Sequence, residues 1–177
     1  CQKLPFDLFV NRIHNENPLT KENLLKMYDQ IESVTEKILP GQKINTVAYG
    51  CTSGTIAIGE DKVKEKVQLA KPDCYVTTPI TSAIKAFKEM NVKKIALFTP
   101  YPESVNKTIL EYFNRKNINI ISFSTFNIDL DEDIARVDPK YLSEILVKLD
   151  IKDADALFVS CTALPALEII DEVEKKI

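Results

Sequence analysis

The stretch Val47-Ala48-Tyr49-Gly50-Cys51-Thr52-Ser53-Gly54 carries an apolar strand into a small residue, then into Cys-Thr at a helix start. The same order returns in the second half of the chain as Phe158-Val159-Ser160-Cys161-Thr162-Ala163-Leu164-Pro165. Strand, tight turn and helix form the joint of a βα unit, so its recurrence predicts an α/β fold with mainly parallel sheets. In open α/β sheets, ligands sit beyond the carboxyl ends of the strands. Helix N-termini there offer free N–H groups and partial positive charge, which suits a carboxylate. The same setting lowers a thiol pKa from about 8.5 toward neutrality, so both Cys-Thr pairs are expected to hold reactive thiolates. One buried Cys at a strand end is ordinary packing. Two in matching positions, one per half, carry more weight.

Outward from these joints the rhythm continues. Strands are expected at 6–13, 44–49, 74–78, 94–99, 118–126 and 155–160. The segment after Thr20 has apolar residues at Leu24, Leu25, Tyr28, Ile31, Val34 and Ile38, which is helical spacing, with Thr20 as N-cap and Pro40-Gly41 as the stop. Pro79 is expected to close the strand before it, with Thr81 or Ser82 capping the next helix. Further helices are expected over 103–116, from Pro139 to Leu149, and over 164–176, with an acidic loop at 127–137. Two α/β lobes, 1–91 and 92–177, fit this length. The chain starts at Cys1 instead of Met and ends at Ile177 as a helix runs out, so it is expected to be incomplete at both ends.

Composition narrows the function. Apolar residues make up 45% of the 177, enough for a proper core. The net charge of −3 is spread over intermixed Lys, Arg, Asp and Glu, without the basic stripe that nucleic acid requires. No apolar run approaches the ~20 residues of a membrane span, and no charged-then-apolar leader opens the chain, so a cytoplasmic protein is expected. The four cysteines include no CxxC pair, and His14 is the sole histidine, so neither a zinc site nor a Cys-His or Ser-His-Asp arrangement is expected. With no export signal, free thiols are favoured over disulfides. Gly50, Gly54 and Gly59 match no nucleotide-binding motif.

Two thiols without metal, histidine or cofactor motif point to a short set of reactions. One thiolate can take a proton from one face of a carbon while the other thiol delivers one to the opposite face. Alternatively, one thiolate adds to a carbon while the other handles the proton.

The strings YGCTSGTIAIG at 49–59, TPY at 99–101 with Asn106, IARVDP at 134–139 and SCTALP at 160–165 resemble the maleate isomerase and arylmalonate decarboxylase branch of the aspartate/glutamate racemase superfamily. Within it the ectoine-utilisation group is the nearest likeness. The resemblance implies two Rossmann-like lobes with parallel sheets, related by a pseudo-twofold axis, and an N-terminal strand missing here. It implies a cofactor-independent isomerase or racemase with Cys51 and Cys161 as the thiol pair, acting on a small carboxylate. Thr52 and Ser53 would form a dioxyanion pocket for that carboxylate, joined by Tyr101 and by the backbone at Thr162. A homodimer is implied as well. Decarboxylases of this kind keep only the second cysteine, so the presence of both argues against simple decarboxylation. Maleate isomerases carry an Asn about where Asp131 stands, so that role is not transferred.

Plainer readings attach to other residues. Arg12 is expected to contact a carboxylate or, in the favoured reading, to pair with Glu16 in solvent, Asn106 to line the pocket or face solvent, Arg136 to tie its loop to a helix, and Cys74 to lie in the core. The rival to an enzyme is a module that holds a carboxylate or phosphate at the same turns without turning it over.

Overall fold

A computed structural model describes residues 5–177; the notional start of the chain at Cys1 lies outside them. Two short helices come first, α1 (Lys21–Lys26) and α2 (Tyr28–Glu36). Thr20 caps α1 by accepting the Asn23 N–H at 3.1 Å. The single helix expected here is divided at Met27, whose side chain is fully buried under the following turn.

The first sheet pairs β1 (Thr46–Ala48) with β2 (Tyr75–Thr77) in parallel, Val47 opposite Val76. Between them run α3 (Thr52–Ile58) and α4 (Glu60–Ala70), and α5 (Pro79–Glu89) follows. Pro79 begins α5 and does not merely end the strand. Its missing N–H is no loss in a first turn. The cap is Thr78, in place of the expected Thr81 or Ser82: Thr78 and Thr81 form a reciprocal capping box at 3.2 and 2.9 Å.

The second sheet is parallel in the order β4 (Asn119–Thr125), β3 (Lys94–Thr99), β5 (Ala156–Val159). The helix α6 (Glu103–Arg115) crosses from β3 to β4, and α7 (Asp131–Ala135) with α8 (Pro139–Leu146) lead to β5. The central strand β3 is buried from Ile95 onward, as a parallel strand covered on both faces must be. The Asp155 carboxylate accepts the Lys93 and Lys94 N–H groups, each at 2.8 Å, which holds the start of β5 to β3 and keeps that carboxyl below its usual range. Phe158 of β5 packs edge-on against Phe87 of α5 and Phe113 of α6, each with ring centroids 5.6 Å away. That cluster joins the two halves of the chain; burying each ring contributes roughly 1.5–3 kcal/mol.

Three expectations fail. Residues 6–13 form no strand: they carry no regular structure and join no sheet, with Phe6, Leu8, Phe9 and Val10 exposed. An apolar run becomes a strand only where a neighbour completes its ladder, and among the described residues β1 pairs with β2 alone. The acidic loop 127–137 contains α7. The helix expected over 164–176 is instead a 3-10 turn, Pro165–Glu168, followed by α9 (Ile170–Glu174). No helix among the described residues is long and apolar enough to cross a membrane.

Candidate active site

The two strand-to-turn joints converge. Cys51 follows β1 and caps α3 in an extended conformation, with its Sγ accepting the Gly54 N–H at 3.2 Å and lying 3.7 Å from Ser53 Oγ. The turn is tight enough to demand glycine at position 54. A Cβ there would stand 2.6 Å from Met27 Cε and 2.9 Å from both Cys51 Sγ and Tyr49 Oη. Thr55 Oγ1 donates to the Cys51 carbonyl at 2.6 Å and closes the first turn.

Cys161 reaches the same place by different means. No helix starts at Thr162. Cys161 itself takes a left-handed φ of 90°, the Leu164 N–H returns to its carbonyl at 3.3 Å, and a 3-10 turn begins only at Pro165. A Cβ-bearing residue held in sparse backbone space stores roughly 1–3 kcal/mol, which persists where surrounding structure enforces it. The enforcement is visible on both sides. The Ser160 N–H donates to the Phe98 carbonyl at 2.8 Å, and Thr162 Oγ1 donates to the Gly50 carbonyl at 2.7 Å. The second bond fastens the Cys161 turn directly onto the Cys51 turn.

Between the turns lies a cavity of about 440 Å³, lined by Cys51, Thr52, Ser53, Tyr101, Cys161 and Thr162. All six residues singled out in the sequence are therefore brought together. Tyr101 is 2% exposed; its hydroxyl accepts from Ser160 Oγ at 3.4 Å. Asn106 neither lines the pocket nor faces solvent. It is buried, takes the Thr99 hydroxyl at 2.6 Å and donates to the Tyr101 carbonyl at 2.6 Å, so it braces the turn that carries Tyr101.

Electrostatics reverse the expectation of lowered thiol pKa values. Burial pushes Cys51 up, against the Gly54 N–H and Ser53 hydroxyl that pull it down, and the Asp131 charge adds to the rise. Burial likewise pushes Cys161 up to about 11, against the Ala163 N–H, the Tyr101 hydroxyl and the Leu164 N–H. Desolvation outweighs a few oriented donors because a thiolate gives up part of its water shell here. Burial, then the neighbouring Cys161, also raises Tyr101 well above its ordinary value, so its hydroxyl stays protonated and able to donate. Both shifts favour the protonated thiol.

The cavity wall also holds residues beyond those six. Asn11, Arg12, Ile13, Asn15 and Asp131 of α7 line it as well. Arg12 does not pair with Glu16, which binds Lys26 instead. Arg136 pairs with Asp133 within its own exposed turn at 3.4 Å. Cys74 is buried core, as expected. The one sequence signal that could have marked the Asn11–Asn15 wall is the switch to polar residues where the apolar run at 6–10 ends.

Two parallel sheets that each bring one cysteine to a shared cavity define the class: an α/β protein with a two-cysteine pocket. The arylmalonate decarboxylase (Amdase) family model matches residues 19–177, and the chain belongs to that family. A maleate isomerase of Geobacillus stearothermophilus is 26% identical over 167 residues, covering 90% of this chain and 66% of that protein. Maleate isomerases of Pseudomonas putida and Alcaligenes faecalis are covered over 58% of their length, so the chain spans less than two thirds of these curated relatives. Among solved structures, the Nocardia farcinica maleate cis-trans isomerase bound to TRIS superposes with a TM-score of 0.85 at 17% identity, over 99% of this chain and 74% of that one. A cysteine-to-serine variant of the Nocardia farcinica enzyme, with a covalently bound succinylcysteine intermediate, gives 0.82 at 17% identity over 93% and 69%. These likenesses establish the fold.

Proposed function

We propose that this chain supplies both thiols of a cofactor-independent isomerase or racemase for a small carboxylate, with Cys51 and Cys161 as the catalytic pair. The observation that carries this reading is their meeting on one cavity whose wall also holds Thr52, Ser53 and Tyr101. The substrate carboxylate sits against Thr52 and Ser53, where hydroxyl and N–H donors stabilise the charge of an enediolate. In a racemisation, one thiolate takes the α-proton, the C–H electron pair moves into the enediolate, and the opposite thiol returns a proton to the other face. Each turnover then leaves the proton on the partner sulfur. In a cis-trans isomerisation, the Cys51 thiolate adds to one alkene carbon and the π electrons pass to its neighbour. Rotation about the new single bond follows, and expulsion of the thiolate restores the alkene as trans. Positioned proton transfer of this kind contributes roughly 10²–10⁴-fold. An ectoine-derived amino acid belongs among the candidate substrates on the sequence resemblance.

The test is proton NMR in deuterated water with the full-length protein and a panel of maleate, aspartate, glutamate and acetylated diaminobutyrate. Deuterium at an α-carbon or a cis-trans change is expected for at least one. A second reading, a carboxylate-binding module, draws on the burial that pushes both thiol pKa values up. It requires that bound carboxylate leave both thiols inert, and no exchange with any member of the panel would favour it.

A further inference from the structure

Ser160 lies behind the cavity wall, yet its hydroxyl reaches a residue that lines it. It is 1% exposed just after β5, and its N–H donates to the Phe98 carbonyl at 2.8 Å, which fixes it against β3. Its Oγ donates to Tyr101 Oη at 3.4 Å. Tyr101 is fixed as firmly from its own side. Its carbonyl accepts Asn106 Nδ2 at 2.6 Å and Thr125 Oγ1 at 2.9 Å, and the Thr99 hydroxyl holds Asn106 Oδ1 at 2.6 Å. The ends of β3 and β4 and the first turns of α6 therefore set where Tyr101 stands, and the end of β5 sets where Ser160 meets it.

A phenol hydroxyl has one proton and can accept as well as donate. Ser160 is the donor of this pair, so the Tyr101 proton points elsewhere. Burial keeps that proton on its oxygen, and the cavity that Tyr101 shares with Cys161 is where it is free to go. The electrostatics carry matching signs. Against the burial that raises each group, the Ser160 hydroxyl pulls Tyr101 down, and the Tyr101 hydroxyl pulls Cys161 down. A hydroxyl that accepts one hydrogen bond donates the next more strongly, because consecutive bonds polarise one another. The position that matches Ser160 ahead of Cys51 is Gly50, which has no hydroxyl to offer. The arrangement therefore serves one thiol and not its partner.

Resting on the two-thiol reading, we propose that Ser160 is a positioning residue, which acts through Tyr101 by committing the phenol proton to Cys161 when that sulfur is a thiolate.

The test is iodoacetamide alkylation of Cys161 and Cys51 in the full-length protein at pH 8, followed by mass spectrometry of their separate peptides. The unmodified protein is compared with Ser160→Ala, Tyr101→Phe and the double variant. The thiolate is the species that reacts, so the rate reports how well it is stabilised. Ser160→Ala is expected to slow Cys161 about two- to threefold, as for a pKa higher by roughly half a unit, while Cys51 keeps its rate. Tyr101→Phe should slow Cys161 at least as much, and adding Ser160→Ala to it should change nothing further. A merely structural loss would open the turn and speed alkylation instead. An unchanged or faster Cys161 rate in folded Ser160→Ala overturns the proposal, and so does an equal slowing by Ser160→Ala in the Tyr101→Phe background. If Ser160→Ala does not fold, Tyr101→Phe decides, and an unchanged Cys161 rate there overturns the proposal. No substrate enters this assay, so such a failure leaves the two-thiol reading to be judged on turnover.

Discussion

Cys161 is the residue at which backbone and chemistry meet most sharply. Its left-handed φ of 90° is tolerated because Ser160 and Thr162 are each anchored by a hydrogen bond. Alanine is usually more stable than glycine by roughly 0.5–1 kcal/mol inside regular structure. Here the order is expected to vanish or invert, so Cys161→Gly should melt no lower than Cys161→Ala in thermal denaturation. A clear advantage for alanine would mean the conformation is not strained. The raised thiol pKa has a second consequence. The folded state favours the neutral Cys161, whose pKa rises from the ordinary 9.0 to about 11. Stability from this group is therefore intact below about pH 9 and is lost as pH climbs to about 11, to the extent of ~2 kcal/mol. Denaturant titrations across that range should show the decline, and Cys161→Ala should flatten part of it. Turnover should respond in the opposite sense. Since a thiolate must form, kcat/KM is expected to rise from pH 7 toward pH 9, and a flat profile would contradict neutral resting thiols.

At the scale of elements, α3 is the most closely fitted. Gly54 supplies the N–H that meets Cys51 Sγ, and its missing Cβ leaves room for Met27, Tyr49 and that sulfur. Gly54→Ala is expected to cost about 1–3 kcal/mol by overcrowding and to displace Cys51, lowering kcat by more than the stability loss explains. Parallel assays of melting temperature and kcat separate the two effects. The sequence made β1, β3, β4, α6 and α8 legible because periodicity and caps there agree with the tertiary structure. The strand expected at 6–13 was misread because pairing depends on a neighbour, and no local pattern reports one. The helix after Cys161 was misread because SCTALP looks like GCTSG, yet Pro165 sets the start of a 3-10 turn four residues beyond the thiol. The thiol pKa values were misjudged for a similar reason: helix termini can be read from sequence, whereas desolvation depends on what closes over the site. Asp131 departs from the pattern the resemblance implies, whereas its place on the cavity wall follows from how Asn17 holds the start of α7.

Across the whole molecule, the site depends on joining two halves. The Phe87, Phe113 and Phe158 cluster joins them at the core, and the Thr162–Gly50 bond joins them at the rim. Thr162→Val removes the rim bond while keeping shape. It is expected to cost about 0.5–1.5 kcal/mol in stability. Because it loosens one thiol relative to the other, it should also reduce turnover more than substrate binding. The central claim is that the two thiols act together on one substrate. The most direct measurement takes the best substrate from the deuterium-exchange panel and compares the unmodified full-length protein with Cys51→Ser and Cys161→Ser. Both variants are expected to fold and to lose at least about 10²-fold in turnover. Full activity in either folded variant would contradict the paired-thiol account.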